Sequence, residues 1–248
     1  MAAAPEIVGP PDFVGVGTQR SGTTWWFETL LEHPQVRGPR NGHKEQHFFD
    51  RFCRRELRDQ DIRRYHRKFP REPGQIAGEW TPRYMFDFWT PPLIARAAPA
   101  AKLLIMLRDP IERFRSGLPH RLSATTHPVT EPAVADAFER GRYASQLRRV
   151  LTYHDRERIL ILQYEKCRAD PAGEYRRTLS FLGVDPDHRP SAFAELRGST
   201  QAGSRQPLWD HLVAGLLATY EPEVAALTEL APEIDLSLWP NFAHALVG

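Results

Sequence analysis

GTQRSGTTWW, Gly17 to Trp26, is the stretch on which the fold turns. It follows the apolar run Phe13 to Val16 and leads into the helix pattern Thr23 to Glu32, the strand-loop-helix setting in which a chain cradles a phosphate. Two glycines permit a tight turn, so backbone N–H groups and the helix start converge on one anion. Ser21, Thr23 and Thr24 add hydroxyls, and Arg20 adds a full charge inside the loop. A Gly-Ser turn that merely caps a helix is the plainer alternative, and the strand before the loop weighs against it. A triphosphate loop of the form G-x-x-x-x-G-K-[ST] carries lysine after its second glycine; here Thr23 follows Gly22.

Outward from the loop, two further short apolar runs stand out, Lys102 to Leu107 (KLLIML) and Arg158 to Gln163 (RILILQ). None of the three alternates polar with apolar residues, as expected for strands buried on both faces of a parallel sheet. Gln35 to Gly38 and Gln75 to Trp80 are weaker strand candidates. Helix patterns lie between them: Glu56 to Phe69, Ala133 to Tyr153 with Gly141 as its weak point, and Pro171 to Leu182, which ends at Gly183. A last pattern, Leu208 to Leu230, is divided by Pro222 into two candidate helices. The alternation predicts an α/β fold, a mostly parallel sheet flanked by helices, with ligands at the carboxyl ends of the strands.

At 248 residues the chain suits one well-buried domain, residues 1–248, with residues 1–11 as a flexible lead-in. A net charge of +2 with basic residues spread along the chain argues against a nucleic-acid partner. Cys53 and Cys167 stand far apart and in no ligand spacing, which argues against disulfides and zinc. The N-terminus has no signal-peptide pattern, and no run of about 18 apolar residues suggests a membrane span. A cytoplasmic protein is the expectation.

The second strand end reads LRDPIERFRSG. Asp109 and Pro110 make a helix start, which puts Ser116 about two turns in and lets Arg108 and Ser116 face one crevice. Taken with TQRSGTTW and with QYEKCRADPAGEYRRTLSFLGVD (Gln163 to Asp185), this segment resembles the sulfotransferases that use 3′-phosphoadenosine-5′-phosphosulfate, from about Asp12 to Leu230. The resemblance implies a P-loop-like sulfotransferase fold in which Ser21, Gly22, Thr23 and Thr24 cradle the 5′-phosphosulfate and Arg20 neutralises the bridging oxygen. It implies further that Arg108 and Ser116 hold the 3′-phosphate, that Trp25 and Tyr164 meet the adenine, and that no metal takes part.

RNGHKEQHFFD, Arg40 to Asp50, resembles the K-E-x-H-F-F-D segment of the glycan-type branch. By that resemblance Glu45 is the base, Lys44 lies beside the sulfate and His47 assists; the cytosolic phenol and steroid branch uses histidine, which keeps His47 as the second choice. His43 and His47 have the spacing of a metal pair on a helix, without a third ligand. GEWTPRYMF has Trp80 where that branch commonly has lysine, so glycosaminoglycan specificity does not carry over. Trp80, Tyr84, Phe88 and, in GRYASQL, Tyr143 are candidates to line an aromatic acceptor pocket. Arg205, in GSTQAGSRQPL, falls where relatives close a loop over the donor.

The reading is sulfuryl transfer to a hydroxyl of a small-molecule, lipid or glycan acceptor by in-line displacement with a general base. The alternatives are a P-loop kinase or NTPase with a degenerate loop, and a nucleotide-binding module without chemistry.

Overall fold

The computed structural model describes residues 6–123, 131–191, 208 and 210–243, so Arg205 lies outside the described residues. In chain order the elements are β1 (Ile7–Val8), β2 (Phe13–Gly17), α1 (Thr23–Leu31), β3 (Val36–Arg37), α2 (Asp59–His66), β4 (Pro70–Arg71), β5 (Ile76–Trp80) and α3 (Thr90–Ala97). There follow β6 (Lys102–Leu107), α4 (Pro110–Ser123), α5 (Glu131–Glu139), α6 (Tyr143–Leu151), β7 (Ile159–Gln163), α7 (Tyr164–Ala169), α8 (Pro171–Leu182) and α9 (Asp210–Leu230).

Five strands form one sheet in the order β3-β5-β2-β6-β7, with every neighbouring pair parallel. Strands β2 and β6 at its centre are apolar on both faces, and the alternate residues of the sheet feed two separate cores. Phe13, Leu104, Met106, Leu160 and Leu162 pack with Trp26 and Leu30 of α1 and with Tyr175 and Leu179 of α8. Val14, Val16, Leu103, Ile105, Leu107 and Ile161 pack on the other face with α3, α4, α6 and α9. With β2 at the centre, its carboxyl end and those of β5, β6 and β7 open on one side of the sheet.

Three expectations about local structure change. Residues 6–11 are tied down, since β1 pairs antiparallel with β4 and Glu6 bridges Arg40 at 2.6 Å. The pattern Ala133 to Tyr153 is divided at its weak point, Gly141, into α5 and α6, and Tyr220 of α9 comes so close that a Cβ on Gly141 would lie 2.4 Å from its hydroxyl oxygen. Conversely, α9 runs unbroken through Pro222, anchored by buried Leu216 and Tyr220 before the proline and by Val224 and Leu227 after it.

Helix α2 starts later than its pattern because Asp61 fixes the first turn, accepting the Arg58 N–H at 3.1 Å and both Arg55 guanidinium nitrogens at 2.8 and 2.9 Å. The Arg55 bonds hold the Asp61 carboxyl down to about 2. A carboxyl depressed in the fold stabilises above its ordinary range, and that stability is lost as pH falls through the folded value. Asp61→Asn is therefore expected to lower the melting temperature at neutral pH by an amount that shrinks to nothing as pH falls from about 4 towards about 2, which thermal melts across that range would check.

Candidate active site

The loop after β2 is shaped by its backbone. Gly22 caps α1 in the left-handed region (φ 88°), and a Cβ there would lie 2.7 Å from the Tyr164 ring. Arg20 is also left-handed (φ 71°). No side chain caps α1, so the N–H groups of its first turn and the positive end of its dipole face the loop uncapped. Thr18 donates its hydroxyl proton to the Met106 carbonyl at 2.8 Å and must accept from Ser21, whose Oγ stands 2.6 Å away and is fully buried. The Ser21 hydroxyl thus points into the fold, a correction to its reading as a hydroxyl ligand; what Ser21 can offer an anion is its backbone N–H. Thr24 is exposed, whereas Thr23 is buried.

At the end of β6, Asp109 caps α4 through Ile111 N–H and Glu112 N–H at 2.9 and 3.2 Å, with its other oxygen taken by Asn241. Arg108 is thereby free of that acid. Its guanidinium lies 4.8 Å over the Tyr164 ring and donates to the Arg20 carbonyl at 3.3 Å, while its buried Nε has no partner among the described residues. Ser116 is half-buried on α4. Trp25 stands edge-on to Tyr164, 6.5 Å between centroids, and its buried indole N–H also lacks an acceptor among the described residues. Arg108, Trp25 and Tyr164 therefore come together beside the loop, with two unsatisfied donors among them.

The segment Lys44 to Asp50 brings the remaining charges to the same place. Lys44 Nζ donates to Thr23 Oγ1 at 3.1 Å and pairs with Glu45 Oε1 at 2.9 Å. Glu45 Oε2 meets His47 Nε2 at 3.1 Å, and His47 Nδ1 meets Asp50 Oδ2 at 2.9 Å. A continuous chain Thr23–Lys44–Glu45–His47–Asp50 leads away from the phosphate loop. Both nitrogens of the His47 ring thus face carboxylates. Burial pulls the Lys44 ammonium below the ordinary lysine range, against the opposing pull of Glu45 and Glu28. Burial likewise lowers Arg20, with Glu45 acting against it. His43 and His47 are not on a helix, so their spacing does not set them side by side as a metal pair.

The aromatic pocket is corrected at three of its four residues. Trp80 is fully buried, lying against Gly15 and donating its indole N–H to the Gly17 carbonyl at 2.9 Å. Tyr84 is fully buried, its hydroxyl accepting the Phe48 N–H at 2.9 Å. Tyr143 is buried with its hydroxyl on the Arg108 carbonyl at 2.9 Å. These rings support the site from within the core; Phe88, 69% exposed, is the one of the four that faces solvent.

Asp50 and Thr18 were not singled out by the sequence reading. Asp50 carried a signal, as the last letter of K-E-x-H-F-F-D, three residues beyond His47. Thr18 carried none, since its partner Met106 belongs to another strand.

A sulfotransferase domain model matches residues 10–206. The human heparan sulfate glucosamine 3-O-sulfotransferase 6 is 33% identical over 187 residues, 70% of this chain and 52% of that protein. Human heparan sulfate glucosamine 3-O-sulfotransferase 3B1 is 30% identical over 188 residues, 70% of this chain and 46% of that protein. The chain thus spans about half the length of the curated relatives it matches. Among solved structures, a sulfotransferase from Alicyclobacillus acidocaldarius superposes with a TM-score of 0.75 at 26% identity, covering 94% of this chain and 99% of that one. With the family model spanning most of the chain and this fold beneath it, the chain belongs to the sulfotransferase family.

Proposed function

We propose that this chain moves a sulfuryl group from 3′-phosphoadenosine-5′-phosphosulfate to a hydroxyl of a glycan acceptor, with Glu45 as the base. The observation that carries the reading is the chain of contacts from Thr23 through Lys44, Glu45 and His47 to Asp50, which sets a carboxylate and a cation side by side at a phosphate loop. The donor supplies the sulfuryl group and an adenosine 3′,5′-bisphosphate leaving group. The residues fit it: among the described residues the buried Arg108 Nε and Trp25 Nε1 have no partner, and the start of α1 carries no side-chain cap. Arg20 and the uncapped start of α1 would hold the 5′-phosphosulfate, Arg108 and Ser116 the 3′-phosphate, and Trp25 and Tyr164 the adenine.

Glu45 accepts the acceptor's hydroxyl proton as its oxygen bonds to sulfur, and Lys44 and Arg20 balance the charge that gathers on the departing phosphate oxygen. His47, held between Glu45 and Asp50, orients the base and is poorly placed to be one, since both of its nitrogens face carboxylates. A glycan is favoured because the K-E-x-H-F-F-D segment is shared with the glycan branch and the relatives are named for heparan sulfate. The buried Trp80 supplies no cation where that branch commonly has lysine, so the proposal extends to glycans as a class. A reducing, cytoplasmic setting belongs to the same proposal, in keeping with two unpaired cysteines, Cys53 and Cys167.

Adenosine 3′,5′-bisphosphate in Mg²⁺-free buffer is expected to raise the melting temperature. At a hundred times its Kd the gain is about 2.7 kcal/mol, which for a chain of this size is roughly 5–11 °C. Arg108→Ala should remove most of that gain. Stabilisation by Mg-ATP, with none by the bisphosphate, would instead establish the kinase reading. Transfer of labelled sulfate to heparan sulfate chains, or to their desulfated counterpart, then tests the acceptor class.

A further inference from the structure

The GEWTPRYMF segment finds its use beneath the base. Glu79, at the end of β5, is fully buried, yet among the described residues its carboxylate touches no cation and is filled by four donors. One oxygen takes the hydroxyls of Tyr65 at 2.6 Å and Tyr84 at 3.4 Å; the other takes Thr81 at 2.5 Å and the Gln46 N–H at 3.1 Å. Thr81 Oγ1 also accepts the Gln46 and His47 N–H groups at 2.9 and 3.4 Å, and Tyr84 accepts the Phe48 N–H. On the other side Trp80 N–H donates to the Lys44 carbonyl at 3.0 Å. Every backbone N–H from Gln46 to Phe48 therefore ends on Glu79 or on a residue that Glu79 holds. This stretch contains His47 and follows directly on Glu45.

We propose that Glu79 is the positioning residue of the active site: through Gln46, Thr81 and Tyr84 it fixes the segment Lys44 to Phe48 so that Glu45 faces the phosphate loop. The proposal rests on the reading of Glu45 as the base. Position alone is enough to matter, because a displacement of about 1 Å at a reacting group can cost on the order of a hundredfold in rate. Hydrogen bonding, not charge, performs the task. An amide at position 79 can present its oxygen to Gln46 and Thr81, which must be given an acceptor, and its NH₂ to Tyr65 and Tyr84, whose hydroxyls can turn to accept.

The test compares Glu79→Gln, Glu79→Ala and Glu45→Gln/Glu79→Ala, with 3′-phosphoadenosine-5′-phosphosulfate as donor and heparan sulfate, or water in its place, as acceptor. Glu79→Ala should lose about ten- to a hundredfold in kcat, bind adenosine 3′,5′-bisphosphate as the parent does, and exchange the amide hydrogens of residues 46–48 faster. Glu79→Gln should stay within a few-fold of the parent and keep those amides protected. In the Glu45→Gln background, Glu79→Ala should slow the reaction by clearly less than its full factor, as the base is gone and only Lys44 is left to position. If Glu79→Ala fails to fold, Thr81→Val, which removes the shared acceptor, should show the same loss of rate and protection.

A Gln variant as slow as the Ala variant overturns the proposal, as do unchanged rates or amide exchange in Glu79→Ala and Thr81→Val. If Glu45→Gln alone is as fast as the parent, the base assignment has failed, whatever Glu79 does. If Glu45→Gln is slow and Glu79→Ala slows it again by its full factor, the positioning role alone has failed.

Discussion

Glu45→Gln is expected to lower kcat by about two to four orders of magnitude without weakening the binding of adenosine 3′,5′-bisphosphate. The amide keeps the size of the side chain and can still accept from Lys44 or His47, so the loss falls on proton acceptance. The donor-binding groups, Arg108, Arg20 and the start of α1, stand on other elements and are untouched. Removing a negative charge that acts on both Arg20 and Lys44 should leave the affinity for an anionic product equal or higher. Single-turnover rates and calorimetric affinities measured on one preparation would separate the two effects.

His47→Ala provides the counter-experiment. Its ring bridges Glu45 and Asp50, so its loss frees the base to turn and should cost less than Glu45→Gln, on the order of ten- to a hundredfold. If Glu45→Gln stays near the parental rate while His47→Ala is dead, the base is the histidine, as in the phenol and steroid branch. The arrangement of His47 between two carboxylates predicts the opposite.

What the sequence disclosed follows the range of the interactions concerned. The runs FVGVG, KLLIML and ILILQ were legible as strands, and α8 as a helix from its proline start to Gly183, because local composition and capping decide them. The phosphate loop was legible because its glycines and hydroxyls are consecutive. Trp80, Tyr84 and Tyr143 were misread as an acceptor pocket because the same letters serve a pocket wall and a core equally well. Only the missing side chain of Gly15, on the neighbouring strand, turns Trp80 inward. Similarly, the inward turn of the Ser21 hydroxyl is set by Thr18 and the Met106 carbonyl. Glu79 was visible as part of a motif, but its task depends on Tyr65 and Gln46, which no spacing rule links to it.

Gly15→Ala is expected to damage the fold severely. Gly15 sits in the central strand, paired with Trp80 of β5 on one side and Leu104 of β6 on the other, and a Cβ there would lie 2.0 Å from Trp80 Cγ. Neither backbone can retreat without breaking a parallel ladder, so the indole must leave its place. That forfeits its buried contacts and its bond to the Gly17 carbonyl, at the root of the phosphate loop. Overpacking of a close-packed core costs about 1–3 kcal/mol and on occasion more; with a rigid ring on one side and a central strand on the other, about 3 kcal/mol or more is expected. For a chain of this size that lowers the melting temperature by roughly 6–12 °C, and bisphosphate binding should weaken alongside.

The pair can be tested against itself. In the parent, Trp80→Leu opens a cavity and should destabilise; in the Gly15→Ala background the same change relieves the collision and should restore part of the lost stability. A substitution whose sign reverses with its neighbour is the mark of direct contact. Should Trp80→Leu instead leave the melting temperature of the parent unchanged and raise only the acceptor KM, Trp80 would belong to an acceptor pocket and its place in the core would be wrong.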